Sequence, residues 1–379
     1  MAAAVPAKGG AAVKLRRIEE GLCCFSLACL ALIPSADALL EFLFKSRFPA
    51  APALTGHLLL VLGLLSGMIC TREGAHLSIG LSRFLGEGKA AKTGEIGKTG
   101  KVGEALALFS SLLSAFMVTI FGWCSVSFIR VGLYPVQYVG FIPDRLFALV
   151  MPIGYGIIAL RFARQAARSC WSRRRILPWR VLPVLAILLG TLCSLPAIFK
   201  FIWGIELPDF ALGISDGFRA LAALLRGPVL ILLILAALGG TPLFVVIGGA
   251  ALILLQSNWG EIDITASQIY GALSQDSLAP IPLFTLAGFI LSESSAGERL
   301  VAAFRGLFGW LPGGRVLASV ALCAFFTSFT GASGVTILAL GGILYTALGD
   351  YPDKFTVGLL TASGSIGLLF PPSLPILLV

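Results

Sequence analysis

Glycine and serine residues are concentrated in two short stretches near the end of this 379-residue chain. The first stretch is Gly331-Ala332-Ser333-Gly334, and the second covers residues 361–367 with the sequence TASGSIG. Each interrupts a segment that otherwise has the composition of a membrane helix. Hydrocarbon offers no partner to open backbone groups, so unwound backbone survives at membrane depth only where protein buries it or where it lines a polar cavity. Such backbone is suited to holding a small ion.

Neutral oxygens and helix ends are the chemistry that these two breaks offer. Hydroxyls and turned carbonyls suit a hard monovalent cation, and half-helix C-terminal ends add a favourable partial charge, whereas half-helix N-termini can face a carboxylate. The predicted cation ligands are Gly331, Ser333, Gly334, Ser363, Ser365 and Gly367. The predicted substrate cavity contains Thr330, Ser333, Thr361, Ser363, Pro371, Pro372 and Ser373. The alternative for any single glycine or serine is close helix packing, because small residues are enriched where membrane helices touch.

The composition predicts an all-α polytopic integral membrane protein. Hydrophobic residues make up 57% of the chain and charged residues 12%, and the mean hydropathy is +0.95. Repeated apolar runs reach the roughly 20 residues that a helix needs to cross a bilayer. The net charge of +9 comes from short basic clusters between these runs. Such clusters are typical of positive cytoplasmic loops, and they argue against nucleic acid as a partner.

Catalysis and a metal cofactor are disfavoured by the same sequence. The eight cysteines lie mostly inside apolar runs without C-x-x-C spacing, and His57 and His76 are the only histidines. An intramembrane enzyme needs convergent acid, base, nucleophile or metal groups, and the deep segments carry almost none. We therefore predict that the protein is not an enzyme and holds no cofactor.

The apolar runs divide the chain into two units joined by a linker helix. Residues 1–18 are predicted to be a cytoplasmic N-terminal segment, residues 19–175 a four-helix unit, 176–225 a linker helix and connection, and 226–379 a transport unit. The four crossings are predicted near residues 21–44, 52–70, 106–129 and 146–160, with a linker helix within 178–203. Basic residues before the first crossing place the N-terminus inside the cell.

The second unit contains interrupted helices. A run from residue 229 to 256 is broken at Gly239-Gly240-Thr241-Pro242, so it makes either one crossing or two short passes, and the topology of 229–279 stays open. A shorter run covers 280–291. Between residues 316 and 348, two arms of about 15 residues are each half to two thirds of a span long at 1.5 Å per residue. That length predicts a re-entrant hairpin with its tip at residues 331–334.

Several motifs of the second unit resemble one transporter family. They are IPLFTLAG at 281–288, GERLV at 297–301, LPGG at 311–314, GGIL at 341–344 and PPSLP at 371–375. In order and spacing they resemble the large membrane subunit (DctM) of tripartite ATP-independent periplasmic (TRAP) transporters. Residues 19–175, with Arg72-Glu73-Gly74-Ala75-His76-Leu77, resemble the small four-helix subunit (DctQ). The chain therefore resembles a fusion of the two permease subunits.

The resemblance implies a function, partners and a location. The chain is expected to be a multi-pass inner-membrane permease that imports organic acids, such as dicarboxylates or sialic-acid-like carboxylates, by sodium symport. A periplasmic substrate-binding protein delivers the substrate, and the large subunit moves its transport domain as an elevator. In the family the large subunit is built from inverted repeats, each with a re-entrant hairpin and a broken helix. One such set is visible before residue 379.

The alternative is a truncated or split fragment that acts only as part of a larger permease. The sequence ends within the apolar run that follows Pro375. In the family, the substrate cavity lies between two halves of the transport domain, so one half alone is expected to hold a partial site. We therefore expect that these 379 residues do not transport alone, and that another chain supplies the second half.

Overall fold

A computed structural model describes residues 10–79, 101–172, 181–204, 206–259, 262–275, 278–294, 296–330 and 333–369. The chain forms two compact units. The first consists of Met1–Ser26 and Leu60–Ser274, and the second of Leu27–Leu59 and Gln275–Val379. The helices α1 (Gly10–Phe44) and α2 (Ala51–Glu73) therefore each contribute to both units.

Long apolar helices form the core of the first unit. They are the end of α2, α3 (Lys101–Val131) and α5 (Val150–Ser172), which follows the short α4 (Asp144–Ala148). The buried side chains of this core include Leu64, Val118, Phe121 and Met151. Between α3 and α4, the two-residue strands β1 (Tyr138–Val139) and β2 (Ile142–Pro143) pair antiparallel. The predicted crossings at 52–70 and 106–129 thus lie within α2 and α3, and the predicted crossing at 146–160 covers the end of α4 and the first part of α5.

The linker segment is bent, which corrects the prediction of a single helix within residues 178–203. It forms α6 (Leu182–Cys193) and α7 (Leu195–Trp203), which meet at an angle of 55°. The physical reason is Pro196, which has no N–H to donate to the preceding turn. The hydroxyl of Ser194 at the bend donates instead to the carbonyl of Gly190, at 2.7 Å.

The predicted break at residues 239–242 is present. Helix α8 (Asp209–Leu238) ends there, and α9 (Leu243–Trp259) begins directly after it. Helix α8 runs continuously through the predicted boundary at 225/226, which itself remains a prediction. A further helix, α10 (Ile264–Leu273), lies in the stretch 229–279, whose topology the sequence leaves open. Its residues Thr265 and Ala266 are buried and the helix packs against α3, so tertiary contacts stabilise a segment with a weak apolar pattern.

The second compact unit, which includes Gln275–Val379, contains five consecutive helices near the end of the described chain. They are α11 (Pro280–Glu293), α12 (Ala296–Phe308), α13 (Gly314–Thr330), α14 (Ser333–Ala347) and α15 (Asp353–Ile366), which a short 3₁₀ helix (Gly367–Leu369) follows. Their core includes Leu322 and Phe326 from α13, Leu340 and Leu344 from α14, and Leu360 from α15. The helix predicted at 280–291 is confirmed by α11.

The second predicted break lies later than expected. Residues 361–366 belong to α15, so the TASGSI sequence is helical, and the α-helix ends only where the 3₁₀ turn begins at Gly367. The reason is packing: Ser363 and Gly364 are buried in helical conformation, and small residues favour close helix contact as readily as unwinding.

The fold class agrees with the prediction of an all-α polytopic membrane protein. Within the described residues, five helices are long and apolar enough to cross a membrane, or six when the bent pair α6–α7 is taken as one span. The remaining secondary structure of the described ranges consists of shorter helices and the two-residue strands.

Candidate functional site

Helices α13 and α14 form a hairpin whose arms are shorter than a membrane span. They have 17 and 15 residues, or roughly 25 and 22 Å at 1.5 Å per residue, whereas the hydrocarbon core is about 30 Å thick. The two helices pack against each other. At the open end, the guanidinium of Arg315 at the start of α13 pairs with the carboxylate of Asp350, just after α14. Both arms therefore have one end at the same polar surface.

A buried pair of hydroxyls joins the two arms near the closed end of the hairpin. The hydroxyl of Thr327 on α13 donates to that of Thr336 on α14 at 2.9 Å, and neither residue is exposed to solvent. The sequence carries no charged residue between Arg315 and Asp350. The polar groups available inside the hairpin are therefore neutral oxygens.

The buried face of α15 packs against α13 through small and polar residues. Thr356, Ser363 and Gly367 recur at helical spacing and are buried. The hydroxyl of Ser363 interacts with the thiol of Cys323 on α13, and it also donates to the carbonyl of Leu360, at 3.1 Å. Within the described part of the chain, the buried hydroxyl of Thr356 has no hydrogen-bond partner.

Gly367, in the turn after α15, lies in close contact with α13. A Cβ atom added there would lie 2.3 Å from the carbonyl oxygen of Ala324 and 2.5 Å from the Cβ of Thr327. Glycine is therefore required by space, since its backbone angles (φ −62°, ψ −19°) are open to any residue. The contact places Gly367 beside the Thr327–Thr336 pair.

The structure brings together some of the residues predicted from the sequence. Ser363 and Gly367 lie on the buried face of α15, whereas Thr361 and Ser365 lie on its exposed face. The hydroxyl of Thr361 donates to its own helix, to the carbonyl of Val357 at 2.7 Å. The assignment of these four residues to a sodium site or a cavity stays a prediction.

The remaining predicted residues are placed only in part. Thr330 is the last residue of α13, and Ser333 and Gly334 begin α14, so all three are at the closed end of the hairpin. The other predicted residues, Gly331, Pro371, Pro372 and Ser373, lie outside the described residues.

The donor set fits a hard monovalent cation better than a transition metal. In the described ranges, no group of three or more His, Cys, Asp and Glu side chains is positioned to hold a metal ion. The buried hydroxyls of Thr327, Thr336 and Ser363 are neutral oxygens, the kind of group that could hold such a cation, whereas Thr356 lies roughly 16 Å before Gly367 along the helix axis at 1.5 Å per residue.

Sequence reasoning missed Thr327, Thr336 and Thr356. Each is a lone hydroxyl inside an apolar run, where Ser and Thr usually bond to a carbonyl of their own helix. One signal was available in the sequence. On α13, Ser319, Cys323 and Thr327 recur every four residues and so share one helix face, which is buried.

Comparison with known proteins identifies the segment that contains this hairpin. Residues 220–379 match the model of the "Tripartite ATP-independent periplasmic transporter, DctM component". This segment is therefore similar to the DctM component of TRAP transporters, and we call it the DctM segment. The resemblance stated from the sequence motifs is thereby confirmed for the second half of the chain. DctM is a permease component and not an enzyme, so the prediction that the protein is not an enzyme agrees with the family.

Curated relatives extend the comparison. The C4-dicarboxylate TRAP transporter large permease protein DctM of Rhodobacter capsulatus is 32% identical over 146 residues, which is 38% of this chain and 33% of that protein. The isethionate TRAP transporter permease protein DctMQ of Oleidesulfovibrio alaskensis is 26% identical over 267 residues, 67% of this chain and 37% of that protein. The DctM of Vibrio cholerae is 29% identical over 139 residues, covering 36% of this chain and 31% of that protein.

The coverage defines what these similarities establish. The chain spans about a third of the length of the curated relatives that it matches. The DctMQ alignment is longer than the DctM segment, so it extends into the residues before 220 and partly supports the predicted fusion with a DctQ-like unit. The apolar helices and the match of the DctM segment to a transporter component together support a multi-pass membrane protein.

Proposed function

We propose that the chain is a permease component of a sodium-driven, binding-protein-dependent TRAP importer of organic acids. In this proposal α13 and α14 form a re-entrant hairpin, and the hairpin with α15 belongs to a transport domain that moves as an elevator. The N-terminus lies in the cytoplasm.

The observation that carries the proposal is the geometry of the hairpin. Its arms are too short to span a bilayer, its open ends share one surface at the Arg315–Asp350 pair, and its interior offers neutral oxygens. Irregular backbone and half-helix ends at membrane depth are the usual construction of ion and substrate sites in secondary transporters. Sodium is the proposed ion because its ligands are neutral oxygens of this kind.

Carboxylate substrates and a separate binding protein complete the proposal. Relatives are named for C4-dicarboxylate, ectoine and sialic acid transport, so the acid that this chain carries is proposed only as a class. A periplasmic substrate-binding protein is proposed to select it. The proposed bilayer is the inner membrane.

A second candidate function is that the chain acts only as part of a larger permease and does not transport alone. The observation that favours this candidate is the coverage of about a third of each relative's length. The proposed additional partner is a polypeptide that supplies the remaining DctM helices.

Uptake into proteoliposomes tests both candidates. A radiolabelled C4-dicarboxylate is offered with a substrate-binding protein, under matched sodium and potassium gradients, to vesicles that contain either the chain alone or the complete permease built around it. We expect uptake only with the complete permease and only with sodium. Uptake that ignores sodium would refute the coupling, and sodium-driven uptake by the chain alone would refute the second candidate.

Two ligand sets are separated by matched variants in the same assay. Thr327→Val removes a buried hydroxyl beside Gly367, whereas Ser365→Ala removes an exposed one that the sequence predicts as a ligand. If the buried set binds sodium, Thr327→Val raises the sodium concentration for half-maximal uptake and Ser365→Ala leaves it unchanged. If Ser365→Ala raises this concentration and Thr327→Val does not, the sodium ligands lie on the exposed face of α15.

A further inference from the structure

The segment after α2 contacts the turn between α8 and α9, which lies inside the DctM segment. Helix α2 ends at Glu73, and Gly74 has a φ of +67°, a left-handed conformation that glycine adopts without strain. The chain then runs without helix through residues 75–79. The carbonyl of Leu77 accepts a hydrogen bond of 2.9 Å from the N–H of Leu243, the first residue of α9.

His76 occupies the centre of this contact. Its ring lies 5.7 Å from the ring of Phe162 on α5 and 5.0 Å from that of Phe244 on α9, measured between centroids. Its Nε2 lies 2.7 Å from the hydroxyl of Thr71, which donates its own proton to the carbonyl of Gly67 at 2.7 Å. The hydroxyl of Thr71 therefore links the His76 ring to the carbonyl of Gly67 on α2.

Ion pairs fix the start of the same segment. Arg72, in the last turn of α2, contacts Glu19 at 3.0 Å and Glu20 at 2.7 Å, both on α1. Glu19 is 4% exposed and also pairs with Arg161 on α5. These ion pairs join α2 and α5 to α1. The segment that follows α2 therefore starts from a fixed position in the helix bundle.

The turn that receives the segment is itself tightly enclosed. Thr241 and Pro242 are buried, and a Cβ added to Gly239 would lie 3.3 Å from a methyl group of Leu106 on α3. A cavity of about 200 Å³ lies beside the contact, lined by His76, Ser110, Gln165 and the glycines of the turn. It brings polar surface to one side of the His76 ring.

We propose that residues 74–79 form a clamp that fixes the α8–α9 turn of the DctM segment to the helices that precede that segment, with His76 as its positioning residue. The rest of α9 is held independently, because Gly248 packs against the ring of Phe121 and Gly249 against Met117, both on α3. Loss of the clamp therefore opens the turn and the first residues of α9, and leaves the remainder of that helix in place.

Hydrogen–deuterium exchange of the full chain in nanodiscs tests the clamp. In His76→Ala, the peptide 239–246 is expected to exchange roughly tenfold faster than in the unmodified protein, because a ring contact and a hydrogen bond are lost near the amide of Leu243. The peptide 247–256 is expected to exchange at an unchanged rate. His57→Ala changes the other histidine of the chain, which is buried on α2, and it is the matched control that should leave both peptides unchanged.

A milder pair of variants keeps the test decisive if His76→Ala does not fold. Thr71→Val removes the hydroxyl that holds His76, and Thr71→Ser retains it. We expect faster exchange at 239–246 in the first variant and rescue in the second. An unchanged exchange rate at 239–246 would overturn the proposal. So would an equal increase in the core peptides of α3, because it would mean that His76 supports the whole helix bundle and not the turn in particular.

Discussion

Replacement of Gly367 by alanine tests whether the end of α15 is fixed by close contact with α13. The new methyl group would lie 2.3 Å from the carbonyl oxygen of Ala324 and 2.5 Å from the Cβ of Thr327. Neither atom is at the end of a flexible side chain, so a helix must shift. Overpacking of this kind costs about 1–3 kcal/mol.

Gly358 provides a matched control on the same helix. It is exposed, and a Cβ added there meets no atom within 4 Å. Gly358→Ala should therefore stabilise α15 by about 0.5–1 kcal/mol, because alanine loses less conformational entropy in a helix than glycine. Both variants replace glycine by alanine, but we expect Gly367→Ala to lower stability and Gly358→Ala to raise it.

The assay is the rate at which the thiol of Cys323 is alkylated, read by peptide mass spectrometry on protein in detergent. Cys323 is 2% exposed on α13 and interacts with Ser363 on α15, so labelling requires the two helices to separate. At 1.4 kcal/mol per factor of ten, Gly367→Ala should label roughly 5- to 150-fold faster, and Gly358→Ala about 2- to 5-fold slower. Equal labelling rates in the two variants would refute the argument that Gly367 is required by space.

Three further changes test other contacts. Thr327→Val removes the buried hydrogen bond to Thr336, so we expect a loss of about 1 kcal/mol in the thermal stability of the hairpin. Burial lowers the pKa of His76 below its usual 6.5, so the unfolded state binds its proton first, and folding stability should decline as the pH falls from about 6.5 toward the lower folded pKa. Lys200→Met leaves the carboxylate of Asp263 without its 2.8 Å partner in a mostly buried position and should cost about 2–3 kcal/mol.

Each of these changes has a control. Thr361→Val alters an exposed hydroxyl on α15 and should be neutral in the same melting experiment, so an equal loss would contradict the assignment at Thr327. The pH dependence should flatten in His76→Gln; an identical slope would exclude His76 as its source. Adding Asp263→Asn to Lys200→Met should restore most of the lost stability, because both charges are then absent.

The hairpin was predictable because its signal is a simple one. Two apolar arms around a glycine-rich tip are each too short to cross a bilayer, and the sequence shows both lengths directly. The bend in the linker was also present in the sequence, since Pro196 lies within the apolar run, although length alone favoured one helix. In both places a local feature of the sequence determines the backbone structure: the lengths of the two arms in the hairpin, and Pro196 in the linker.

The second break was not predictable from residue types alone. Glycine and serine permit unwinding, but they also permit two helices to approach closely, and the sequence does not show which partner will be present. In the structure, the positions of these residues on the helix decide between unwinding and close packing. Ser363 and Gly364 are buried, and Ser363 and Gly367 contact α13, so residues 361–366 remain helical and the chain departs from the α-helix only at Gly367.

The hydroxyl pair illustrates a limit of a different kind. Thr327 and Thr336 are nine residues apart, a spacing that brings nothing together in a continuous helix. They meet only because the chain reverses between α13 and α14. A pattern within one helix therefore cannot reveal the pair, whereas the fold-back geometry makes it a direct consequence of the two arm lengths.

The same contacts that pack α15 on α13 provide the oxygens of the proposed sodium site. Because no charged residue lies between Arg315 and Asp350, an ion bound there would be held by neutral oxygens and helix ends, a weak form of binding that permits release. Gly367 and Ser363 make their contacts on α13 within the region of Thr327. A displacement of α15 would therefore alter the ligand geometry and the helix packing together, and we expect sodium to slow the alkylation of Cys323 in the unmodified protein but not in Thr327→Val. Sodium and potassium that slow the reaction equally would show that the effect is one of ionic strength.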